Sequence, residues 1–345
     1  MASSSKESQD LGGALLASVS RSFYLSIKIL PQGVRGSLGL SYLLARMADT
    51  IADAAEVPSK LRLKHLQAFQ GMIWGGIDRE KILLLQKEII PSDKAERKLL
   101  TKIEACLEWL HAQPDDDRRD IVNVLEKIIC GQELDIVRFP GASHPRALQN
   151  GAELDEYTYL VAGCVGEFWT RICCRHLQHY AKIDEERLCA LGINFGKGLQ
   201  LVNILRDMPA DLRAGRCYLP ADELKVAGVD PASVMASAES VRPIFDGWLK
   251  KAAAHLEDAF QYIEAISNRR VRIACILPWF IGMRTLILLK QNFPLTTDKR
   301  VKITRAEVRR LLFLAPVAAF SDKFLRRMRA GLNRAFAEAQ PMDVT

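Results

Sequence analysis

The sequence predicts an all-α protein, on three observations. Apolar residues recur at three- and four-residue spacing through nearly all of the 345 residues, almost no stretch alternates with period two, and turn residues cluster in short breaks. In chain order the periodicity places helices at 10–29, 34–54, 59–74, 93–110, 115–137, 153–179, 184–208, 240–266, 270–289 and 304–330. The 240–266 helix shows the pattern best: Val241, Ile244, Phe245, Trp248, Ala252, Leu256, Phe260 and Ile263 form one stripe of core-facing width. Loops are expected at 31–33, 139–151 and 212–220. In the 153–179 helix Ala162, Gly163 and Gly166 lie near one another, and each interior Gly costs about 0.5 to 1 kcal/mol relative to Ala. Either a neighbouring helix approaches closely there or an apolar ligand chain runs along the smooth face.

Composition narrows the class. With 49% hydrophobic and 26% charged residues, neither disorder nor a fibrous repeat fits. No internal repeat or composition shift divides the chain, which predicts one domain over 1–345 behind a disordered tail at 1–10. The N-terminus lacks the charged-then-apolar run of a secretory signal, and the apolar stretches 276–289 and 311–320 are too short for a bilayer, so a cytoplasmic protein without a transmembrane helix is expected. Eight cysteines in apolar helical patterns read as reduced, packed thiols; Cys173, Cys174, His176 and His179 match no zinc spacing. The net charge of +7 suits nucleic acid, an anionic membrane or anionic small molecules. Its distribution favours the last two: nine Lys or Arg face four Asp or Glu over 301–345, without any nucleic-acid motif.

The chemistry concentrates in two pairs of carboxylates. Asp49 and Asp53 end one apolar helix, and Asp207 and Asp211 end another. The i, i+4 spacing sets each pair on one helix face, where like charges repel unless a cation lies between them. Hard oxygen donors select Mg²⁺, which binds through one or two carboxylates and substrate phosphates. An isolated DxxxD is ordinarily a solvated helix face, but both pairs here grow out of strongly apolar helices, where a carboxylate needs a partner. Arg46, Arg206, Arg213 and Arg216 stand beside them as candidate guanidinium forks for a diphosphate, and Gln200 and Asn203 lie on the turns before Asp207. No GxSxG, HExxH or GxGxxG occurs, and residues 192–198 lack the spacing of a P-loop, so their glycines read as helix packing.

Four segments carry a resemblance: Ser20-Arg21-Ser22-Phe23, residues 42–53 (YLLARMADTIAD), 157–166 (YTYLVAGCVG) and 198–220 (GLQLVNILRDMPADLRAGRCYLP). In this order they resemble the signature segments of the squalene and phytoene synthase family, over about residues 15–325. The resemblance implies an isoprenoid synthase fold of the class I trans-prenyltransferase type, a helical bundle around a central cavity, joining two prenyl diphosphates head to head through a cyclopropyl intermediate. It implies that Asp49, Asp53, Asp207 and Asp211 hold Mg²⁺ and the diphosphates, that Arg21, Tyr42, Arg46, Gln200, Asn203, Arg206 and Arg216 contact diphosphate or order that shell, and that Ser22 and Phe23 belong to a closing segment. Tyr157 matches a tyrosine that transfers a proton or guides the cation. Two departures stand out. Ala52 occupies a position that is acidic in many eukaryotic members, which bears on the number of metal ions, and Pro209 predicts a kink between Asp207 and Asp211.

Within the family, residues 272–289 and 301–305 look most like squalene synthases. The reaction so implied joins two farnesyl diphosphates to presqualene diphosphate and reduces it to squalene with NADPH, held at Lys302 and Arg305, for sterol or hopanoid synthesis. Alternatives are a dehydrosqualene- or phytoene-type enzyme, a presqualene diphosphate synthase without NADPH use, and a non-catalytic helical assembly protein of the same fold. The membrane-anchoring helix of eukaryotic squalene synthases is not found, so a bacterial-type enzyme with peripheral contact on the inner face of the membrane is expected.

Overall fold

Local side-chain signals mark the start of several helices. Side-chain caps from Asp78, Asp93, Asn150, Asp184, Asn268, Thr304 and Ser321 satisfy N-terminal backbone donors that the helices themselves leave open. The computed structural model describes residues 11–20, 22–139, 141, 145–297 and 300–340. The tail predicted at 1–10 lies outside the described residues. The chain divides into two compact units, 1–137 with 171–178 and 138–170 with 179–345.

In the first unit a π-helical turn, Leu11–Leu15, leads into α1 (Leu16–Ser20) and α2 (Ser22–Ile29). The long α3 (Gln32–Ala52) follows, then α4 (Ser59–Gly75), α5 (Arg79–Glu88), α6 (Lys94–Leu100), α7 (Ile103–His111) and α8 (Asp115–Arg138). α3 packs on α4, α6 and α7 and buries Leu40, Leu43, Leu44, Met47 and Ile51 completely. Its acidic end is therefore anchored by an apolar core on the opposite face. The nearly inaccessible Asp117 of α8 accepts hydrogen bonds from Ser37 (2.7 Å), Arg175 (2.9 Å) and His176 (2.8 Å). Burial alone would raise its pKa, but these donors bring it below the usual carboxylate range. His176 is thus engaged by a carboxylate, and among the described residues no cluster of three or more His, Cys, Asp or Glu could hold a metal. Six of the eight cysteines, Cys106, Cys164, Cys173, Cys189, Cys217 and Cys275, are buried.

The second unit contains β1 (Arg146–Leu148), α9 (Gly151–Thr158), a π-helical turn at Tyr159–Gly163 and the start of α10 (Cys164–His176). It continues with α11 (Glu185–Arg213), β2 (Arg216–Pro220), α12 (Ala221–Val226), α13 (Ala238–Ala265), α14 (Arg269–Gln291), α15 (Arg305–Phe320) and α16 (Asp322–Glu338). α11 packs on α13 and α14. The stripe predicted on α13 is buried except for Ile244, which is half-buried. Glycines allow the closest approach. A Cβ on Gly166 would lie 1.9 Å from the Gly192 carbonyl oxygen, and one on Gly196 would lie 2.2 Å from that of Ala162. The small residues at 162–166 and 192–198 therefore face each other across a helix pair, so close helix packing accounts for them.

Several expectations need correction. α5 went unpredicted because only Ile82 and Leu85 of its apolar run are buried, which leaves no helical stripe to read. The spans 93–110 and 304–330 each form two helices; the second breaks at Ser321, whose extended backbone starts a new helix while the apolar periodicity continues past it. Two regions read as loops contain the parallel pair β1 and β2, matching Arg146 with Arg216 and Ala147 with Cys217. Strands of three and five residues, so far apart in sequence, give no local alternation. α11 carries Pro209 in its interior, where a kink is expected, and extends past it to Arg213, so Asp207 and Asp211 both lie on one helix. Finally, Glu185–Arg213 and Arg269–Gln291 are long and apolar enough to cross a bilayer by length and composition, contrary to the expectation from shorter apolar runs. Both are more than half buried, so helix packing in their unit covers much of that apolar surface.

Candidate active site

On α3, residues 42, 46, 49 and 53 fall within a narrow arc at 100° per residue, so Tyr42, Arg46, Asp49 and Asp53 share one face. Arg46 lies 3.7 Å from Asp49 and also pairs with Glu96 of α6. The Gln132 amide of α8 donates to Asp49 Oδ1, and its own Oε1 is buried without a partner. Asp49 is closely surrounded by protein although its side chain stays 42% accessible. Its carboxyl is pushed up to about 6, first by loss of hydration and then by the Asp53 charge, against the pull of Arg46 and Gln132. Burial likewise raises Tyr42. This face is short of positive charge, and its unpartnered amide oxygen beside two carboxylates is a hard-oxygen donor set that fits Mg²⁺. Ala52 is buried and adds no donor.

On α11 the same arithmetic gathers Gln200, Asn203, Asp207 and Asp211 on one face. Here guanidinium groups already engage both carboxylates. Asp207 accepts from Arg206 at 2.6 Å and from Arg300 at 2.7 Å, and Asp211 accepts from Arg216 at 2.8 Å. Burial would raise the Asp207 pKa, but the two arginines hold it below the usual carboxylate range. Arg216 opens β2, so the strand pairing that the sequence did not reveal aims this guanidinium at Asp211. Asn203 reaches Gln200 at 3.5 Å.

Tyr157 of α9 stacks on Tyr218 of β2, with ring centroids 5.0 Å apart and hydroxyls 3.3 Å apart. Phe139 meets Tyr218 edge-on at 5.2 Å. The two hydroxyls share a hydrogen bond beside stacked aromatic rings. Two residues before Tyr157 on α9, Asp155 pairs with the buried Lys197 of α11 at 2.6 Å.

Lys302 and Arg305 are exposed, with no ion pair among the described residues. They flank the capping box in which Thr304 and Glu307 start α15. Arg300, two residues earlier, fastens this basic segment to Asp207. Arg21 lies outside the described residues, as do the side chains of Ser22 and Phe23. The reading from sequence missed Glu96, Gln132, Tyr218 and Arg300. Tyr218 sits inside a quoted segment and Arg300 inside a basic run, whereas Glu96 and Gln132 come from helices with no pattern of their own to mark them.

The chain matches the family model described as squalene/phytoene synthase over residues 16–307. It is 24% identical to the squalene synthase of Schizosaccharomyces pombe over 91% of this chain and 67% of that protein. It is 30% identical to the bifunctional lycopene cyclase/phytoene synthase of Colletotrichum graminicola over 71% of this chain, spanning only 40% of that longer protein. With the presqualene diphosphate synthase of Sinorhizobium fredii it shares 28% identity over 85% of this chain and 91% of that one. In three dimensions it is similar to TcSQS solved with the ligand BPH1237, with a TM-score of 0.79 at 18% identity over 99% of this chain and 94% of that one, a likeness of fold. The all-α architecture is thus that of the isoprenoid synthases, and the chain belongs to the squalene/phytoene synthase family of prenyltransferases.

Proposed function

We propose that the chain is a squalene synthase, a farnesyl-diphosphate farnesyltransferase that joins two farnesyl diphosphates head to head and reduces presqualene diphosphate to squalene with NADPH. The observation that carries the reading is the repeated motif of two carboxylates on one helix face beside an arginine, at Asp49/Asp53 with Arg46 and at Asp207/Asp211 with Arg206. Each face would hold one diphosphate. Mg²⁺, when bound, supplies the charge that stabilises the leaving diphosphate. Asp49 and Asp53 would hold it on α3, and Asp207 and Asp211 on α11, with Arg46, Arg206 and Arg216 turning to diphosphate oxygens.

Tyr157 and Tyr218 hold a proton between their hydroxyls, and their ring faces attract a passing carbocation. Lys302 and Arg305 would take the phosphates of NADPH, whose hydride quenches the rearranged cation. An apolar product and a basic chain further support peripheral contact with an anionic membrane from the cytoplasmic side.

A second reading, release of presqualene diphosphate without reduction, is favoured by the match along 91% of the S. fredii protein. One experiment separates the two: purified protein with farnesyl diphosphate and Mg²⁺, with and without NADPH, followed by identification of the products. NADPH-dependent squalene supports the first; presqualene diphosphate at every NADPH concentration supports the second.

A further inference from the structure

α15 carries an exposed stripe that no element of its unit covers. At 100° per residue, positions 306, 309, 310, 313, 317 and 320 fall within one arc, and Ala306, Arg309, Arg310, Phe313, Val317 and Phe320 are all exposed. The stripe is basic in its first half and apolar in its second. Phe313 is 79%, Val317 51% and Phe320 65% accessible, whereas Leu311, Ala315, Ala318 and Ala319 on the other side are buried. α15 runs antiparallel to α14, since Glu307 pairs with Arg284 near one end and the Arg269 guanidinium lies 4.2 Å from the Phe320 ring centre at the other.

The charge around the stripe is one-sided. Its carboxylates are already spent within the protein, Glu307 on Arg284, Asp322 on Arg272 and Lys182, and Glu264 on Arg326. Arg270, Arg309, Arg310 and Lys323 are exposed without an ion pair among the described residues. We propose that this stripe of α15 docks on an anionic lipid bilayer, with Phe313, Val317 and Phe320 entering the headgroup boundary and the surrounding guanidinium groups lying on the lipid phosphates. Apolar residues on one side of a basic helix are the pattern of an interfacial membrane helix. A second copy of the chain fits less well, because two Phe and one Val expose on the order of 400 Å², about half of what each partner of a stable dimer buries. The inference deepens the membrane contact proposed above and rests on that reading for its purpose, while its geometry stands on α15 alone.

The test needs no turnover. The full chain is floated with vesicles of phosphatidylcholine containing about 30% phosphatidylglycerol, and with phosphatidylcholine alone, at low and high salt. The chain should float with the anionic vesicles and less so as salt rises, and Phe313→Ser/Val317→Ser/Phe320→Ser should cut partitioning about tenfold or more. Arg309→Glu/Arg310→Glu should weaken binding to anionic vesicles alone. A Phe313→Trp variant should be quenched by brominated acyl chains, which reports insertion even if the serine variant folds poorly. Wild-type flotation of a folded serine variant, or indole fluorescence of Phe313→Trp that brominated chains leave unquenched, would overturn the proposal. So would a dimer by light scattering that the serine variant converts to monomer, because the stripe would then be a self-interface. Stripe-dependent flotation of an enzyme that makes no squalene would keep this inference and remove the catalytic one.

Discussion

Arg300 and Arg206 grip Asp207 together, with guanidinium nitrogens 2.7 and 2.6 Å from its two carboxylate oxygens. Arg206 is its neighbour on α11, whereas Arg300 arrives from the segment before α15. The second acidic face is therefore neutralised by side chains, while the first is left wanting a cation.

If Asp207 holds a divalent ion as proposed, Arg300 would compete with it for the carboxylate. Removing it as Arg300→Ala should tighten Mn²⁺ binding at this face by about fivefold, the scale of a half-exposed ion pair, measured by electron paramagnetic resonance against an Asp207→Asn control. Unchanged affinity would make Arg300 a bystander.

Asp49 gives the proposal its pH signature. The native state holds this proton to about pH 6, against an ordinary 3.8. Between those values the folded chain binds more protons than the unfolded one, so metal-free stability falls as pH rises through that window and levels off above it. Asp49→Asn should abolish that part of the slope in denaturant titrations. Divalent-ion affinity should weaken below pH 6, where the proton competes with the metal. At neutral pH, Asp49→Asn and Asp207→Asn should each lower turnover by orders of magnitude with the helical circular dichroism intact; full activity of both in chelator would sink the metal-clamp reading.

Tyr157→Phe removes one hydroxyl of a stacked pair and keeps the ring. It should lower kcat about a hundredfold, the scale of a lost proton-transfer partner, with KM nearly unchanged. Tyr218→Phe should share part of the defect, because the two hydroxyls are 3.3 Å apart. Wild-type single-turnover rates in both variants would return the pair to a packing role.

Replacing Lys302 and Arg305 together by Ala should raise the NADPH concentration needed for half-maximal squalene formation and let presqualene diphosphate accumulate, while the first condensation stays near normal. Product analysis at stepped NADPH concentrations decides it. An unchanged NADPH requirement moves the cofactor phosphates elsewhere.

Gly166→Ala probes the helix contact. Its new Cβ would have to share space with the Gly192 carbonyl, a clash with backbone rather than with a movable side-chain tip. The cost should be about 3 kcal/mol or more, visible as a lower denaturation midpoint, whereas Gly331→Ala, which meets nothing within 4 Å, should leave stability at least as high. Equal midpoints would mean that the helices part easily.

The sequence by itself determined the helical class, most helix spans, the small-residue packing of 192–198, and the two acidic faces, while it left open whether a helix or a ligand lies against 162–166. These are properties of short chain segments: periodicity marks the buried side of a helix, and i, i+4 spacing puts two carboxylates together wherever the helix goes. What tertiary structure decided is the company those carboxylates keep. Asp49 meets Gln132 and Asp207 meets Arg300 through partners 83 and 93 residues away, Tyr157 meets Tyr218 through a strand pairing without a local pattern, and the α15 stripe stays bare because no element of its unit packs there. Such neighbours depend on how distant elements close on one another, which no window of sequence records. Asp49 is consequently raised and Asp207 lowered although their DxxxD motifs share one spacing, because hydration and nearby charge, rather than spacing, set how tightly a carboxylate holds its proton.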